Sequence, residues 1–436
     1  MPFDKLSHST DFTINELKIV TKVGNLDIRD IYEELNIFDG MFIPSRSGNI
    51  LIRDAQGLAE SFLFDGSEYI KINIGKTKDT MLIDKTFRIY KMSDRKNSNE
   101  TSETYVLHFV SDEYIFSEQQ KINQACRGTY STIAKTIMQQ YLKLNLGKSL
   151  ANVDNSYGEK EFIMPGLNPF DAINYCAKRA VDLNGAPNFL VFENAYGYNF
   201  CSLSSLTKNP AIFELNFNVK NTGESLKDDF LGVIKYEVLN QFDYIKNTKS
   251  GVYAGKFIGI DPITRQKIVT ETTFLEQYEE GVSLNQNIPL AVDKNKANKY
   301  NSQMTDSRIV FYTFSEAAKY SNYIKQKDPS MLNKLEDTHN FVFQRKAILD
   351  GFVNKTIRLL LPGNFLLTSG VNVNLKMPTR SFKTKETDSE DSSLNGNYTV
   401  IATRHIIKGS IHETVIDVAT NSTENKFVVQ SKYLGN

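Results

Sequence analysis

Residues 69–74 read Tyr-Ile-Lys-Ile-Asn-Ile, and residues 371–377 read Val-Asn-Val-Asn-Leu-Lys-Met. In both stretches apolar residues alternate with polar ones, which is the period of a β-strand with one buried face. Each stretch is followed by two more apolar segments, and a Glu-Thr pair introduces the second of them. These segments are 87–92 and 105–110 in the first copy, and 398–403 and 415–418 in the second. The chain therefore carries one strand pattern twice.

The repetition extends upstream of both stretches. Leu-Asn-Ile-Phe-Asp at 35–39 is echoed by Leu-Asn-Gln-Phe-Asp at 239–243, and the segment 47–54 is echoed by 250–261. Because the matching pieces recur in the same order, we predict two copies of one small antiparallel β-barrel or sandwich. The alternative is that any two antiparallel sheets share alternation and turn residues.

Length and charge limit the classes of protein to consider. A chain of 436 residues is expected to form about three domains. It has 51 basic and 51 acidic residues, so its net charge is zero. Nucleic-acid binding needs an excess of basic residues to contact phosphates, and this balance therefore argues against a dedicated nucleic-acid binder.

Cysteine usage and hydropathy indicate a compartment. Cys126, Cys176 and Cys201 form no Cys-x-x-Cys motif, and their odd number argues against a disulfide framework. Residues 1–11 are polar and lack the apolar core of a signal peptide. No apolar run approaches the ~20 residues that a membrane-spanning helix requires. We therefore expect synthesis in the cytoplasm and no membrane-spanning segment.

Changes of pattern divide the chain into six predicted parts. The fold class is α+β and mainly β, with two antiparallel β-barrel domains and an inserted α+β domain. The parts are an N-terminal arm at 1–22, a first barrel at 23–112, a middle α+β domain at 113–229, a second barrel at 230–263 and 351–420, an insertion at 264–350 that packs with the middle domain, and a C-terminal tail at 421–436. Within them we predict helices at 118–125, 131–147 and 316–327, and polar loops at 93–102 and 379–393.

The middle domain has the most distinctive local sequence. Asn168 is a good helix N-cap, Pro169 suits the first helical position, and Gly185 can supply a left-handed stop. Two strands are predicted after this helix, at 188–193 and 198–202. The hairpin that they form is apolar on both faces, with Phe189 and Val191 on one and Leu190 and Phe192 on the other, so we expect it to be covered on both sides.

Motifs that would carry chemistry are incomplete. Gly75-Lys76-Thr77 and Gly147-Lys148-Ser149 lack the upstream glycine with which a P-loop holds phosphate. No Gly-x-Ser-x-Gly elbow is present, and no cysteine is evidently paired with a histidine.

The histidines and carboxylates have structural interpretations beside functional ones. His405 and His412 flank a predicted hairpin turn, where a metal site is one interpretation and ordinary packing is the other. His108 falls in a strand, where a packed or edge residue is the expected role. Asp54 and Asp261 end matching apolar runs, which suits a turn cap better than a catalytic role. We therefore predict no catalytic residue, no cofactor and no metal ion.

Several stretches, taken in order, resemble the baseplate central hub of contractile-tailed phages of the T-even type. The first is 164–173, Met-Pro-Gly-Leu-Asn-Pro-Phe-Asp-Ala-Ile, followed by 189–193 and 197–200. The others are 251–256 with Asp261 and Arg265, and Leu-Pro-Gly-Asn at 361–364 with Gly370, 396–398 and His405. The likeness spans nearly the whole chain.

The resemblance implies a homotrimer in which each chain carries two tail-tube-like barrels. Three chains would then form a pseudo-sixfold ring that adapts the sixfold tail tube to the threefold central spike and leaves a channel for DNA. The implied partners are the central spike, tail tube or tube-initiator proteins, and baseplate wedge proteins. The implied location is the tail baseplate of the virion. The family has no catalytic residues to carry over.

Two other interpretations stay open. A β-rich glycan hydrolase of a phage tail would present two carboxylates about 5–9.5 Å apart in a cleft. The trunk of a related contractile injection or secretion spike would form a similar ring.

If the predicted ring conducts DNA, the protein should not bind that DNA specifically. We then expect lumen-facing positions to be mostly neutral or acidic, with Lys and Arg on outer and intersubunit surfaces.

Overall fold

The computed structural model describes most of the chain between Phe12 and Ser422. The described residues are 12–422 apart from 23, 62–63, 78–79, 100–101, 145–149, 218–230, 261, 263–264, 266, 274–283, 286–304, 314–341 and 379–392. The helix predicted at 316–327, the triplet at 147–149, nearly all of the loop predicted at 379–393, and Asp261 therefore lie outside the described residues.

The first copy of the repeat forms seven strands and one short helix. In chain order they are β1 Thr13–Val20, β2 Asn25–Asp27, β3 Tyr32–Gly40, β4 Ser47–Asp54, α1 Leu58–Ser61, β5 Tyr69–Thr77, β6 Thr80–Asn99 and β7 Ser102–Ser111. All pairs among these strands are antiparallel. Ile70, Ile72 and Ile74 of β5 are fully buried, as their alternation predicts.

A block of helices and short sheets follows. Its elements are α2 Asp112–Glu118, β8 Ala125–Thr129, α3 Tyr130–Gln140, β9 Leu150–Val153, β10 Glu159–Ile163, α4 Pro169–Arg179, β11 Phe189–Asn194, β12 Gly197–Ser202, α5 Leu203–Lys208 and β13 Phe213–Asn216. β8 pairs with β10, and β12 lies between β11 and β9.

The rest of the described chain contains the second copy and a small separate sheet. The elements are β14 Lys235–Asn240, α6 Tyr244–Ser250, β15 Ala254–Ile260, β16 Lys267–Thr273, a 3-10 turn Thr305–Ser307, β17 Ile309–Thr313, α7 Val342–Phe352, β18 Lys355–Pro362, β19 Asn372–Lys376, β20 Gly396–Lys408 and β21 Ile411–Thr420. β15 lies between β16 and β17 in a sheet of its own.

The two copies have the same strand order. It is β3-β4-β7-β6-β5 in the first copy and β14-β18-β21-β20-β19 in the second. β20 also pairs with β3, so both copies belong to one sheet of 13 strands. The copies differ at their margins, because β1 joins β5 antiparallel whereas β13 joins β19 in parallel. The predicted fold class, α+β and mainly β with antiparallel sheets, is confirmed.

One row of directly opposed residues shows that the copies are packed differently. The row is Ile89, Phe109, Gly48 and Ile37 in the first copy, and Val400, Val418, Ile357 and Val238 in the second. A Cβ built on Gly48 would overlap the Phe109 ring and the carbonyl oxygen of Asn36. The first copy therefore combines a glycine with a large ring, where the second combines Ile357 with the smaller Val418.

The upstream echo of the repeat is placed differently from the prediction. The sequence matches 250–261 to β4, but β15 belongs to the separate sheet. The strand in the equivalent position is β18, where Ile357, Leu359 and Leu361 alternate and are buried. The echo between 35–39 and 239–243 is also out of register, because Val238 occupies the place of Ile37.

Two segments predicted to be irregular contain strands. β1 falls within the predicted arm at 1–22, and its Leu17 and Ile19 are fully buried. The polar loop predicted at 93–102 is largely a hairpin, because β6 and β7 remain paired as far as Asn99 and Ser102. A hairpin exposed on both faces has no apolar alternation, so its sequence looks like that of a loop.

The helices of the middle block agree with the sequence in part. α4 begins at Pro169 after Asn168, as predicted, although the Asn168 side chain donates to Glu118 Oε2 (3.1 Å) instead of capping the helix. Gly185 is not the stop, since α4 ends at Arg179. Gly185 has a φ of +92° in the turn that follows.

Two other helix predictions need correction. The helix predicted at 118–125 is wrong, because α2 ends at Glu118 and the chain enters β8 at Ala125. α3 begins at Tyr130, where the Thr129 hydroxyl accepts from Thr132 N (3.2 Å), and it ends at Gln140, before the predicted Gly147.

The hairpin β11–β12 lies between two apolar clusters. Phe189 and Val191 pack with residues of α3 and α4, whereas Leu190 and Phe192 pack with Phe352 of α7. The prediction that this hairpin is covered on both sides is confirmed. α7 also contacts α4, where Arg345 Nη1 donates to the carbonyl oxygen of Ala177 (3.1 Å).

Candidate assembly interface

The large sheet has one apolar face and one polar face. The apolar face packs into the cores of the two copies, and the polar face carries charged residues that alternate with the buried ones. Arg358 Nε lies 2.8 Å from Asp417 Oδ1, and Glu34 is paired with Arg404 (3.2 Å) and Lys408 (2.9 Å). Exposed pairs of this kind add little stability. They do place a carboxylate beside each of these three cations.

β20 and β3 join the two copies edge to edge. Six residue pairs form this junction, from Ala402 opposite Gly40 to Ile407 opposite Leu35. On its polar side Arg404 Nε donates to Asn36 Oδ1 (2.9 Å), and the guanidinium lies 5.7 Å from the centre of the Phe38 ring. Backbone pairing, apolar burial and charge thus all contribute to one contact between copies.

A buried carboxylate ties the middle block to the first copy. Glu193 of β11 is 2% exposed, and its Oε2 accepts from Arg46 N (2.8 Å) and from Ser111 Oγ (2.7 Å). Its Oε1 contacts Lys85 Nζ on β6. Burial lowers the pKa of Lys85 to about 8. These contacts fix β11 against β6, β7 and the turn after β3.

A second buried carboxylate connects the first copy to the second. Asp39 Oδ2 accepts from Thr368 Oγ1 (2.7 Å) and Asp39 Oδ1 from Ser369 N (3.0 Å). Arg46 Nε lies 3.9 Å from Asp39 Oδ2, and both side chains are almost fully buried. Burial raises the pKa of Asp39 in spite of the neighbouring Arg46.

His405 and His412 meet beside the junction of the two copies, where His405 lies opposite Ile37. His412 Nε2 lies 3.3 Å from His405 Nδ1, and the Phe365 ring stacks on His412 with its centre 4.0 Å away. Burial lowers the pKa of His412 to about 3 and lowers that of His405 well below its usual value. Both rings are packed among buried side chains. Among the described residues, no three His, Cys, Asp or Glu side chains are grouped to hold a metal ion.

Other residues singled out in the sequence have structural positions. Gly75-Lys76-Thr77 lies in β5 rather than in a phosphate-binding loop. Asp54 caps the turn after β4, where Oδ1 accepts from Gln56 N (2.8 Å) and Oδ2 from Ala59 N (3.0 Å). His108 lies on β7, 2.8 Å from Ser93 Oγ. The three cysteines are buried and form no disulfide.

An open groove lies beside α6. It has a volume of about 920 Å³ and is lined by Asp243, Ile245, Lys246, Lys249, Ser250, Arg308, Lys346 and Asp350. Its two carboxylates already have local roles, because Asp243 caps α6 through Lys246 N (2.8 Å) and Asp350 lies 3.5 Å from Lys346. This groove therefore does not favour the glycan-hydrolase interpretation.

No motif of the sequence marks Arg46, Lys85 or Glu193 as functional residues. One signal was available for Glu193, because it is the charged residue in a strand whose neighbours are apolar on both faces. A charge in a strand covered on both sides must find a partner. The identity of that partner depends on contacts across 108 and 147 residues, which no local pattern reports.

Comparison with known proteins shows similarity in structure and none in sequence families. No protein-family model and no curated protein matches the chain. Among solved structures, the 43 kDa tail protein of prophage MuSo2 from Shewanella oneidensis matches with a TM-score of 0.52 and 9% identity. That match covers 93% of this chain and 98% of the other. At this identity the match establishes the fold, which the chain shares with a phage tail protein.

Two further solved structures are similar to a lower degree. A tail protein from Neisseria meningitidis MC58 matches with a TM-score of 0.49 and 10% identity over 93% of this chain and 96% of that one. A type VI secretion component of E. coli, described as similar to the T4 tail proteins gp27 and gp5, matches with a TM-score of 0.42 and 7% identity. That match covers 94% of this chain and 77% of the other.

No helix among the described residues is long and apolar enough to span a membrane.

Proposed function

We propose that this chain is a structural hub protein of a phage tail baseplate, in which three copies form a closed ring. The main observation behind this proposal is that one chain contains the same five-strand order twice, with the two copies of the repeat joined edge to edge. A ring of three such chains presents six similar units, which suits a sixfold tail tube on one side and a threefold spike on the other. The tail-protein fold supports this assignment.

The polar face of the sheet is proposed to line a channel for DNA. The opposite face is filled by the cores of the two copies, which leaves the polar face available to solvent. The sequence leads us to expect few basic residues on such a face, yet it carries Arg358, Arg404 and Lys408. Each of these cations lies beside a carboxylate that neutralises its charge. This local neutralisation limits the release of counterions on contact with phosphate.

The proposed role is assembly and conduction, without catalysis. The carboxylates Asp39 and Glu193 are buried and committed to structural hydrogen bonds, so neither is available to a substrate. The partners proposed are the central spike, tail tube or tube-initiator proteins and wedge proteins. The proposed location is the baseplate of the virion.

The oligomeric mass of the purified full chain tests this proposal. The chain has a mass of 49.5 kDa, so a trimer has a mass of about 149 kDa. We expect mass photometry and light scattering at micromolar concentration to show the trimer, because edge strands without partners favour association. A chain that stays monomeric, with its spike and tube partners added, would contradict the ring.

A further inference from the structure

We infer that β6 of one chain pairs edge to edge with β14 of a second chain. This contact reproduces between chains the β20–β3 junction that joins the two copies of the repeat within one chain. This inference rests on the proposed function, and it adds the surface and the register through which the chains meet. The partner at each edge is another molecule of this chain, because the junction between the two copies of the repeat is the template for the contact.

Both edges are open in the described part of the structure. β14 is the last strand of the sheet, and β18 is its named strand partner. β6 pairs with β5 only as far as Arg88, so among the described strands its segment 91–97 pairs with β7 alone. In the second copy the same part of β20, from Ala402 to Ile407, is the part that pairs with β3.

The two edges can be aligned residue by residue. β6 has a bulge at Tyr90, between Ile89 and Lys91, and β20 has the same bulge at Ile401, between Val400 and Ala402. Ile89 and Val400 occupy equivalent places in the row of opposed residues described above. Beyond a second bulge after Ser93, Lys96 lies opposite Thr104 as Ile406 lies opposite Glu413, so Lys96 is equivalent to Ile406.

The same alignment identifies the partner position on β14. Ile406 lies opposite Asn36, one residue before Ile37. Glu237 is the equivalent residue, one before Val238. The template therefore places Lys96 of one chain opposite Glu237 of the next.

Exposure and charge at these edges fit such a contact. In β14 and beside it, Leu239 is 42% exposed, Ile234 55% and Phe242 73%, and Tyr90 on β6 is 51% exposed. Large apolar side chains gathered at an unpaired strand edge are characteristic of a surface that is covered on assembly. Lys96 and Glu237 are both exposed and opposite in charge, which suits their position across this contact.

Cysteine cross-linking between copies of the full chain tests the inference. Lys96→Cys and Glu237→Cys are made separately, mixed, and treated with a short thiol cross-linker. We expect a cross-linked dimer in the mixture and none above background in either variant alone. The native Cys126, Cys176 and Cys201 are buried, so their contribution is small. The control replaces Glu237→Cys with Glu214→Cys, an exposed glutamate on the edge strand β13.

The outcomes of this experiment distinguish the β6–β14 contact from the trimeric ring. Cross-linking in the Lys96→Cys and Glu237→Cys mixture, without cross-linking in the control, supports the β6–β14 contact. A trimeric mass without this cross-link overturns the contact and leaves the ring intact. Cross-linking of Glu237→Cys alone shows a twofold interface and overturns it as well. A persistent monomer overturns both the contact and the ring.

Discussion

Replacing Glu193 with alanine is expected to lower the free energy of unfolding by about 3–5 kcal/mol, which is the cost of breaking a buried pair from one side. The change removes the acceptor of Arg46 N and Ser111 Oγ, which are buried, and leaves the partly buried Lys85 without its carboxylate. Because these groups belong to β6, β7 and β11, the middle block should lose its fixed position on the first copy. Urea denaturation followed by circular dichroism measures the effect.

Glu161→Ala is the matched control for this prediction. Glu161 Oε1 lies 3.0 Å from Arg127 Nε, and both side chains are substantially exposed. Removing an exposed pair is expected to change the free energy of unfolding by no more than about 1 kcal/mol. If Glu193→Ala costs no more than this control, the buried carboxylate does not hold the two parts of the chain together.

Acid is expected to destabilise the folded chain through His405 and His412. An unfolded histidine takes up a proton below about pH 6.5, whereas burial lowers the folded pKa of His412 to about 3. The unfolded state therefore binds more protons between these values. The stabilisation is complete above the unfolded pKa and is lost as the pH falls below it. Between about pH 7.5 and about pH 5 the loss that His412 causes is about 2 kcal/mol.

The His412→Gln variant isolates this effect from other titrating groups. Comparing the pH dependence of the urea midpoint in the variant and the unmodified chain cancels contributions from carboxylates such as Asp39, whose pKa is raised by burial. The variant should show a shallower loss of stability with acid. Equal slopes for the two proteins would show that the histidine pair does not control acid stability.

The sequence predicts the repeated strands well because their information is local. Ile70, Ile72 and Ile74 alternate with polar residues and bury one face, and Val373 with Leu375 does the same in the second copy. The hairpin β11–β12 is also predictable, since an apolar strand of that length needs cover on both faces.

The predictions that failed depend on long-range contacts. β18 occupies the place assigned to 250–261, because strand order is decided by pairing with β14 and β21 rather than by a Ser-Gly pair. The network around Glu193 joins positions 46, 85 and 111, and no spacing rule links such distant residues. The edges of β6 and β14 could be recognised as equivalent only once the bulges had fixed the register.

Single-particle electron microscopy of the purified full chain tests the central claim most directly. A head-to-tail interface produces closed rings when its rotation closes and open filaments when it does not. We expect class averages along the axis to show a threefold ring with six similar lobes around a central opening, two lobes for each chain. Isolated particles of one chain, twofold dimers or open filaments would contradict the account.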